Sequence, residues 1–172
     1  RHLSIVRQEA GMSLASDLTV LDNLLLRTPT ETILDFVFPR SRLAAKARSH
    51  ARRYLDFGEK MEQPCRNLSV GQRQILAFAA ACSAKSPMLL LDEFLSAADA
   101  HATSVLRTLA REYAATTPAC VLIVSHQPKV ALEDGDRIIV LQNGRLVDSI
   151  ERGGADWTEA RLLRLLERSA TP

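Results

Sequence analysis

Apolar positions change character midway along the chain. From Leu18 to Leu26, the residues Leu18, Leu21 and Leu25, with Val20 and Leu24 beside them, recur at helical spacing. A short helix is predicted there, after an opening stretch through Gln8 and Gly11. Between Ser41 and Phe57, Leu43, Ala47, Ala51, Tyr54 and Leu55 form a second helical stripe, ended by Gly58. A third, Ile75, Phe78, Ala79 and Cys82, follows Leu68-Ser69-Val70-Gly71-Gln72 directly. The pattern then turns to short continuous runs of Leu, Val and Ile: Met88 to Leu91, Cys120 to Val124 and Ile138 to Leu141. Such runs predict strands buried on both faces. Ala102, Val105, Leu106, Leu109 and Tyr113 place a helix between the first two, so the order strand, helix, strand predicts a parallel pair and an α/β core. Asn143-Gly144 after the third run predicts a two-residue hairpin turn, with Arg145 to Ile150 returning. A closing helix is predicted over Asp156 to Arg168, with Asp156 and Glu159 capping its start and Leu162, Leu163 and Leu166 on its apolar face.

Composition narrows the classes. A chain of 172 residues with 47% hydrophobic and 24% charged residues buries one core, so it is one domain or part of one. The longest unbroken apolar run, Ile75 to Cys82, is far below the roughly 20 residues that span a bilayer. Service to a membrane would therefore come from outside the lipid. A net charge of +2 lacks the basic excess of a protein whose main task is holding phosphate backbones, so no nucleic-acid partner is expected. Cys65, Cys82 and Cys120 form no CxxC pair, which indicates neither zinc nor a disulfide framework and fits a reducing compartment. Six basic and no acidic residues between Arg40 and Arg53 read as a solvated helix face. The chain starts at Arg1 without a signal-peptide pattern, and a truncation upstream is expected.

Three places could carry chemistry. The run Met88 to Leu91 leads straight into Asp92 and Glu93, at the strand end where open α/β sheets bind ligands. On an extended chain these neighbours point opposite ways, which suits one carboxylate to a magnesium ion and the other to an attacking water. A solvated loop after a core strand is the competing reading. Ser125 and His126 follow the next parallel strand; a lone histidine there is commonly structural, but two strands delivering ionisable groups to one sheet edge favour a site. Ser69 and Gln72 are spaced as a capping box, which makes a sound helix start. The same start offers free backbone N–H groups, a positive dipole end, a Gly71 that permits close approach and a Ser69 hydroxyl, all suited to phosphate.

Together these residues resemble a family. LSVGQ resembles the signature sequence of ABC ATPases, LLLDE their Walker B strand, Ser96 to Asp99 their D-loop, Ser125-His126 their H-loop, and Gln8 in VRQEAG their Q-loop glutamine. The motifs stand in the family's order from about Gln8 to the hairpin after Gly144. The resemblance implies a partial P-loop NTPase-like domain: a helical and signature region over 15–86, a core of parallel strands and C-terminal hairpin over 87–150, and a C-terminal helix over 151–172. It implies ATP and Mg2+ as ligands, with Asp92 holding the metal, Gln8 touching metal and water, Glu93 orienting or deprotonating the water, and His126 meeting the γ-phosphate. Ser69, Gly71 and Gln72 would close over ATP held by a second ABC ATPase subunit, and Asp99 would couple the two. An integral membrane permease is the further partner implied, with the protein peripheral on the cytoplasmic face of the inner or plasma membrane.

The interval from Gln8 to Ser69 has no heptad tract, so it is similar to transporter subunits rather than to the coiled-coil DNA-repair relatives. DLTVLDNLLL and LLLDE further resemble bacterial importers. Val70 stands where the commonest signature has Gly, and Ala98 where the D-loop usually has Leu. The larger departure is that no glycine is followed by Lys, so no GxxxxGK[ST] phosphate loop is present, and the family's adenine-stacking aromatic is missing as well. Two functions remain: the ATP-hydrolysing subunit of a transporter, or a non-catalytic truncated fragment that only binds a partner or has no activity.

Overall fold

The computed structural model describes residues 3–29, 39–52, 54 and 57–167. Contacts divide the chain into two compact units, Arg1–Val124 and Ser125–Pro172.

The first unit is built on a parallel sheet of order β1-β2-β3, made of β1 (Ser4–Val6), β2 (Met88–Asp92) and β3 (Cys120–Val124). Register pairs Val6 with Leu91 and Asp92 with Val124, so all three strands deliver their carboxyl ends to one edge. The expected parallel pair is thus present. β1 was not foreseen, because three residues are too few to show a period; its Ser4 hydroxyl hydrogen-bonds that of Ser86 at 2.8 Å. Burial on both faces, expected of each apolar run, holds for neither strand of the pair. In β2, Leu89 and Leu91 are buried while Met88 is 40% exposed; in β3, Val121 and Ile123 pack against the core while Leu122 and Val124 lie outward. An apolar run records the chemistry of both sheet faces and says nothing of what covers them.

Helices lie over the covered face. α1 (Val20–Leu25) starts two residues later than its apolar pattern, because the Thr19 hydroxyl caps it by accepting the Asp22 N–H at 3.0 Å. α2 (Pro39–Ala51) ends well short of Phe57, and Leu55 of the expected stripe lies outside the described residues. Its basic residues read as foreseen in part: Arg48 is ion-paired with Glu62 on the surface. α3 (Val70–Ser83) is buried without a break from Gln74 to Ser83, the mark of a helix in the centre of a core. α4 (Ala100–Thr116) joins β2 to β3, as the parallel pairing requires. Edge-on aromatic contacts tie these layers together, Tyr54 to Phe78 at 5.6 Å and Phe78 to Tyr113 at 6.3 Å.

In the second unit, α5 (Pro128–Asp134) precedes a hairpin of β4 (Arg137–Gln142) and β5 (Arg145–Glu151). Pro at the first turn of α5 and its shortness hid that helix from the apolar pattern. Asn143 and Gly144 turn the hairpin with φ of 49° and 74°, as their sequence predicts. α6 (Glu159–Glu167) packs Leu162 and Leu165 against Ile138, Val140 and Ile150. The face expected for this helix is corrected: Leu163 and Leu166 are 44% and 40% exposed, since the hairpin takes only the i, i+3 pair. Its start is corrected too, because the Thr158 hydroxyl, not Asp156 or Glu159, accepts the N–H of Arg161, at 3.3 Å.

Candidate functional site

Two helix starts meet beside the sheet edge. At α3, the Ser69 hydroxyl accepts the Gln72 N–H at 3.2 Å while the Gln72 side chain accepts the Ser69 N–H at 3.1 Å, so the predicted capping box is complete. At α4, Asp99 caps in the same way, accepting the Ala102 N–H at 2.8 Å. The starts touch through Gly71: a Cβ there would stand 2.7 Å from the Ala102 Cβ and 3.7 Å from an Asp99 carboxylate oxygen. Gly71 therefore meets protein on the side where its missing side chain would be. Close helix packing alone accounts for a glycine at this position.

Asp92 ends β2, and Glu93 begins a sharp reversal. The extended geometry that would point the two carboxylates apart is not what the chain adopts, because Glu93 has a φ of 47°. This left-handed conformation is uncommon for a residue with a side chain and occurs where surroundings impose it. Those surroundings are visible: the Glu93 N–H is held by the Val124 carbonyl at 3.0 Å, and the Glu93 carbonyl accepts both the N–H and the hydroxyl of Ser96, at 3.0 and 2.7 Å. Phe94, 2% exposed, anchors the turn in the core.

Gln8 lies exposed just after β1 and lines a cavity of about 350 Å³ with Glu9, Gly11, Val70, Arg73 and Ala97. The cavity thus joins the segment after β1, the start of α3 and the turn before α4; Asp92 and Glu93 do not line it. His126 belongs to the second unit and is exposed, next to Ser125, whose hydroxyl accepts the Gln127 N–H at 3.1 Å.

One residue escaped the sequence reading. Gln74 is fully buried, and its amide donates to the Phe94 carbonyl at 2.7 Å and the Arg7 carbonyl at 3.3 Å. The signal was present: Gln74 precedes Phe78 by four and Ala81 by seven, which puts a polar group on the buried face of a helix. Buried thiols lie elsewhere in the core; desolvation pushes Cys65 up to about 11 and Cys82 up to about 12, which keeps both neutral and inert.

Among the described residues no group of three His, Cys, Asp or Glu side chains could hold a metal ion. Asp92 and Gln8 are hard oxygen donors of the type Mg2+ accepts, and this ion is usually held by one or two carboxylates with water and substrate phosphates. The chemistry of each donor fits Mg2+, while Asp92 does not line the cavity that Gln8 lines.

Residues 1–96 match the model of the ABC transporter family. The chain belongs to that family. A methionine import ATP-binding protein, MetN of Haemophilus influenzae, is 31% identical over 156 residues, covering 86% of this chain and 43% of that protein. The beta-(1-->2)glucan export ATP-binding/permease protein NdvA of Rhodopseudomonas palustris is 29% identical over 181 residues, covering 99% of this chain and 28% of that one. The chain spans less than half the length of these relatives. Among solved structures, an ABC transporter in an inward-facing conformation has the same fold, with a TM-score of 0.77 and 22% identity over 96% of this chain and 64% of that chain. A dimeric ATP-binding cassette bound to ADP and Pi superposes with a TM-score of 0.67 and 22% identity over 88% and 63%. The α/β fold with its parallel sheet is thus that of ABC-type ATPase domains.

Proposed function

We propose that this chain is the signature-bearing part of the ATP-hydrolysing subunit of an ABC transporter, coupling hydrolysis to solute transport and serving as an importer. The observation that carries this reading is the meeting of two capped helix starts at Gly71, with Ser69 exposed at its mouth. Two positive dipole ends and their backbone N–H groups form a surface suited to the phosphates of ATP held by a second ATPase subunit. Ser69, Gly71 and Gln72 form that surface, and Asp99 couples the subunits across it. Within the chain's own half of the site, Asp92 and Gln8 offer oxygens to Mg2+, which supplies charge neutralisation when bound. Glu93 would accept a hydrogen bond or proton from the attacking water. The family resemblance gives His126, which belongs to the second unit, the terminal phosphate as its partner.

Similarity to MetN supports the importer assignment, and the similarity to MetN and to an export protein together supports ATP use. No described helix is long and apolar enough to cross a membrane. The proposed partner is an integral permease, with this chain peripheral on the cytoplasmic face. Residues 15–86 serve as helical and signature region, 87–150 as core and 151–172 as C-terminal helix.

The reading is tested by Glu93→Gln in a full-length subunit that contains this chain. Nucleotide binding is expected to persist while kcat for ATP falls about 100-fold or more. Hydrolysis at the unaltered rate would remove Glu93 from the chemistry.

A further inference from the structure

Gln74 sits in the middle of the first unit, on a helix turn whose neighbours are all apolar from Ile75 to Cys82. Packing alone would be served by Leu or Met at such a position, so a fully buried amide needs a reason. Its two donated hydrogen bonds supply one. Each ends on a main-chain carbonyl, and each carbonyl flanks a segment already assigned to the site: Arg7 directly precedes Gln8, and Phe94 directly follows Glu93. Those segments lie far apart in sequence, and α3, which Ser69 caps, carries the side chain that holds both.

Both partners are acceptors, which fixes the orientation of the amide with its nitrogen toward them. The Gln74 Oε1 atom is left buried and without a hydrogen-bond partner among the described residues. A polar atom so placed is a burden to the fold that the nitrogen's two bonds offset.

We propose that Gln74 is a positioning residue that ties the segment entering Gln8 to the segment leaving Glu93, so that the two loops move as one body with the signature helix. A shift of Gln8 is then passed to the turn that sets Glu93, and a shift of α3 is passed to both. The link itself rests on the geometry; its bearing on catalysis rests on the nucleotide reading of Gln8 and Glu93 given above.

The test uses the 172-residue chain without nucleotide, by amide hydrogen exchange and NMR. The informative amides are Met12 and Ser13 in the first loop and Ser96 and Ala98 in the second, each bonded within its own turn. Gln74→Met keeps the volume and removes the donor. Exchange at both pairs is expected to rise tenfold or more, while Leu76 to Ser83 in α3 stays unchanged. Gln74→Glu regains a single donor, and only when protonated, so protection of one of the two loops, corrected for intrinsic rates, is expected to return as pH falls. In the unaltered chain, couplings through the hydrogen bonds should connect the side-chain amide of Gln74 to the carbonyls of Arg7 and Phe94, a reading that does not depend on any variant folding. The proposal is overturned if Gln74→Met loosens only one loop or neither, if exchange rises uniformly along α3 and β2, or if the couplings are absent. No ATP enters this experiment, so its failure removes the link and leaves the nucleotide reading standing, whereas failure of the Glu93→Gln test does the reverse.

Discussion

Glu93 carries a local cost that the bare Asp-Glu pair does not announce. A left-handed backbone disfavours a residue with a Cβ by about 1–2 kcal/mol, and the Val124 and Ser96 contacts hold it there. Ser69 and Asp99 show the opposite economy, since each side chain is both a sound cap and a group placed at the mouth of a helix. The cysteines give a residue-scale prediction. Cys120 is exposed, while Cys65 and Cys82 are buried with thiols raised to about 11 and about 12 by desolvation. At pH 8 one thiol per native chain is expected to react with an alkylating agent, and all three after denaturation, counted by mass spectrometry. The same shifts set an alkaline limit. The folded state favours the neutral thiol, so their contribution is complete below the unfolded thiol pKa of about 8.5 and is lost as pH rises through 11 to 12. An unfolding midpoint in urea that stayed constant from pH 8 to pH 11 would contradict this.

At the scale of elements, the decisive contact is between the starts of α3 and α4. A methyl group on Gly71 would overlap that of Ala102, so Gly71→Ala is expected to push the helices apart at a cost of about 1–3 kcal/mol. Ala102→Gly in the same chain should recover most of that loss, and the pair should show a coupling of about 0.5–3 kcal/mol in a double-mutant cycle read by urea unfolding. Additive effects would mean the glycine serves something other than packing. Elements of this kind were legible where their signals are local. The capping box of α3, the Asn143-Gly144 turn and the apolar runs of β2, β3 and β4 each need only neighbouring residues to be recognised. The three-residue β1, the short α5 and the contact face of α6 depend on what packs against them, and a single sequence does not carry that information. The same limit explains why Leu122 and Val124 were expected to be buried and are not.

At the scale of the molecule, the motif order was readable because chemistry-bearing residues sit at strand ends and helix starts, where local patterns mark them. What the order left out is how the segments are held. Gln74 joins two of them from the buried face of α3, and it looks in sequence like one more polar residue after the signature. The direction of the Glu93 backbone was misjudged for a related reason: the φ of a turn is set by contacts across the sheet, here the Val124 carbonyl. The central claim is that Ser69, Gly71 and Gln72 complete a nucleotide site on another subunit. It is tested most directly by titrating this chain into an ATPase-competent full-length subunit that contains the same segment with Ser69→Arg, a change expected to stop it closing over a partner's nucleotide. ATP hydrolysis is expected to rise with the concentration of the 172-residue chain and to saturate, because only the mixed pair combines the full-length subunit with a working signature. Hydrolysis that stays at background while complex formation is shown independently would contradict the account.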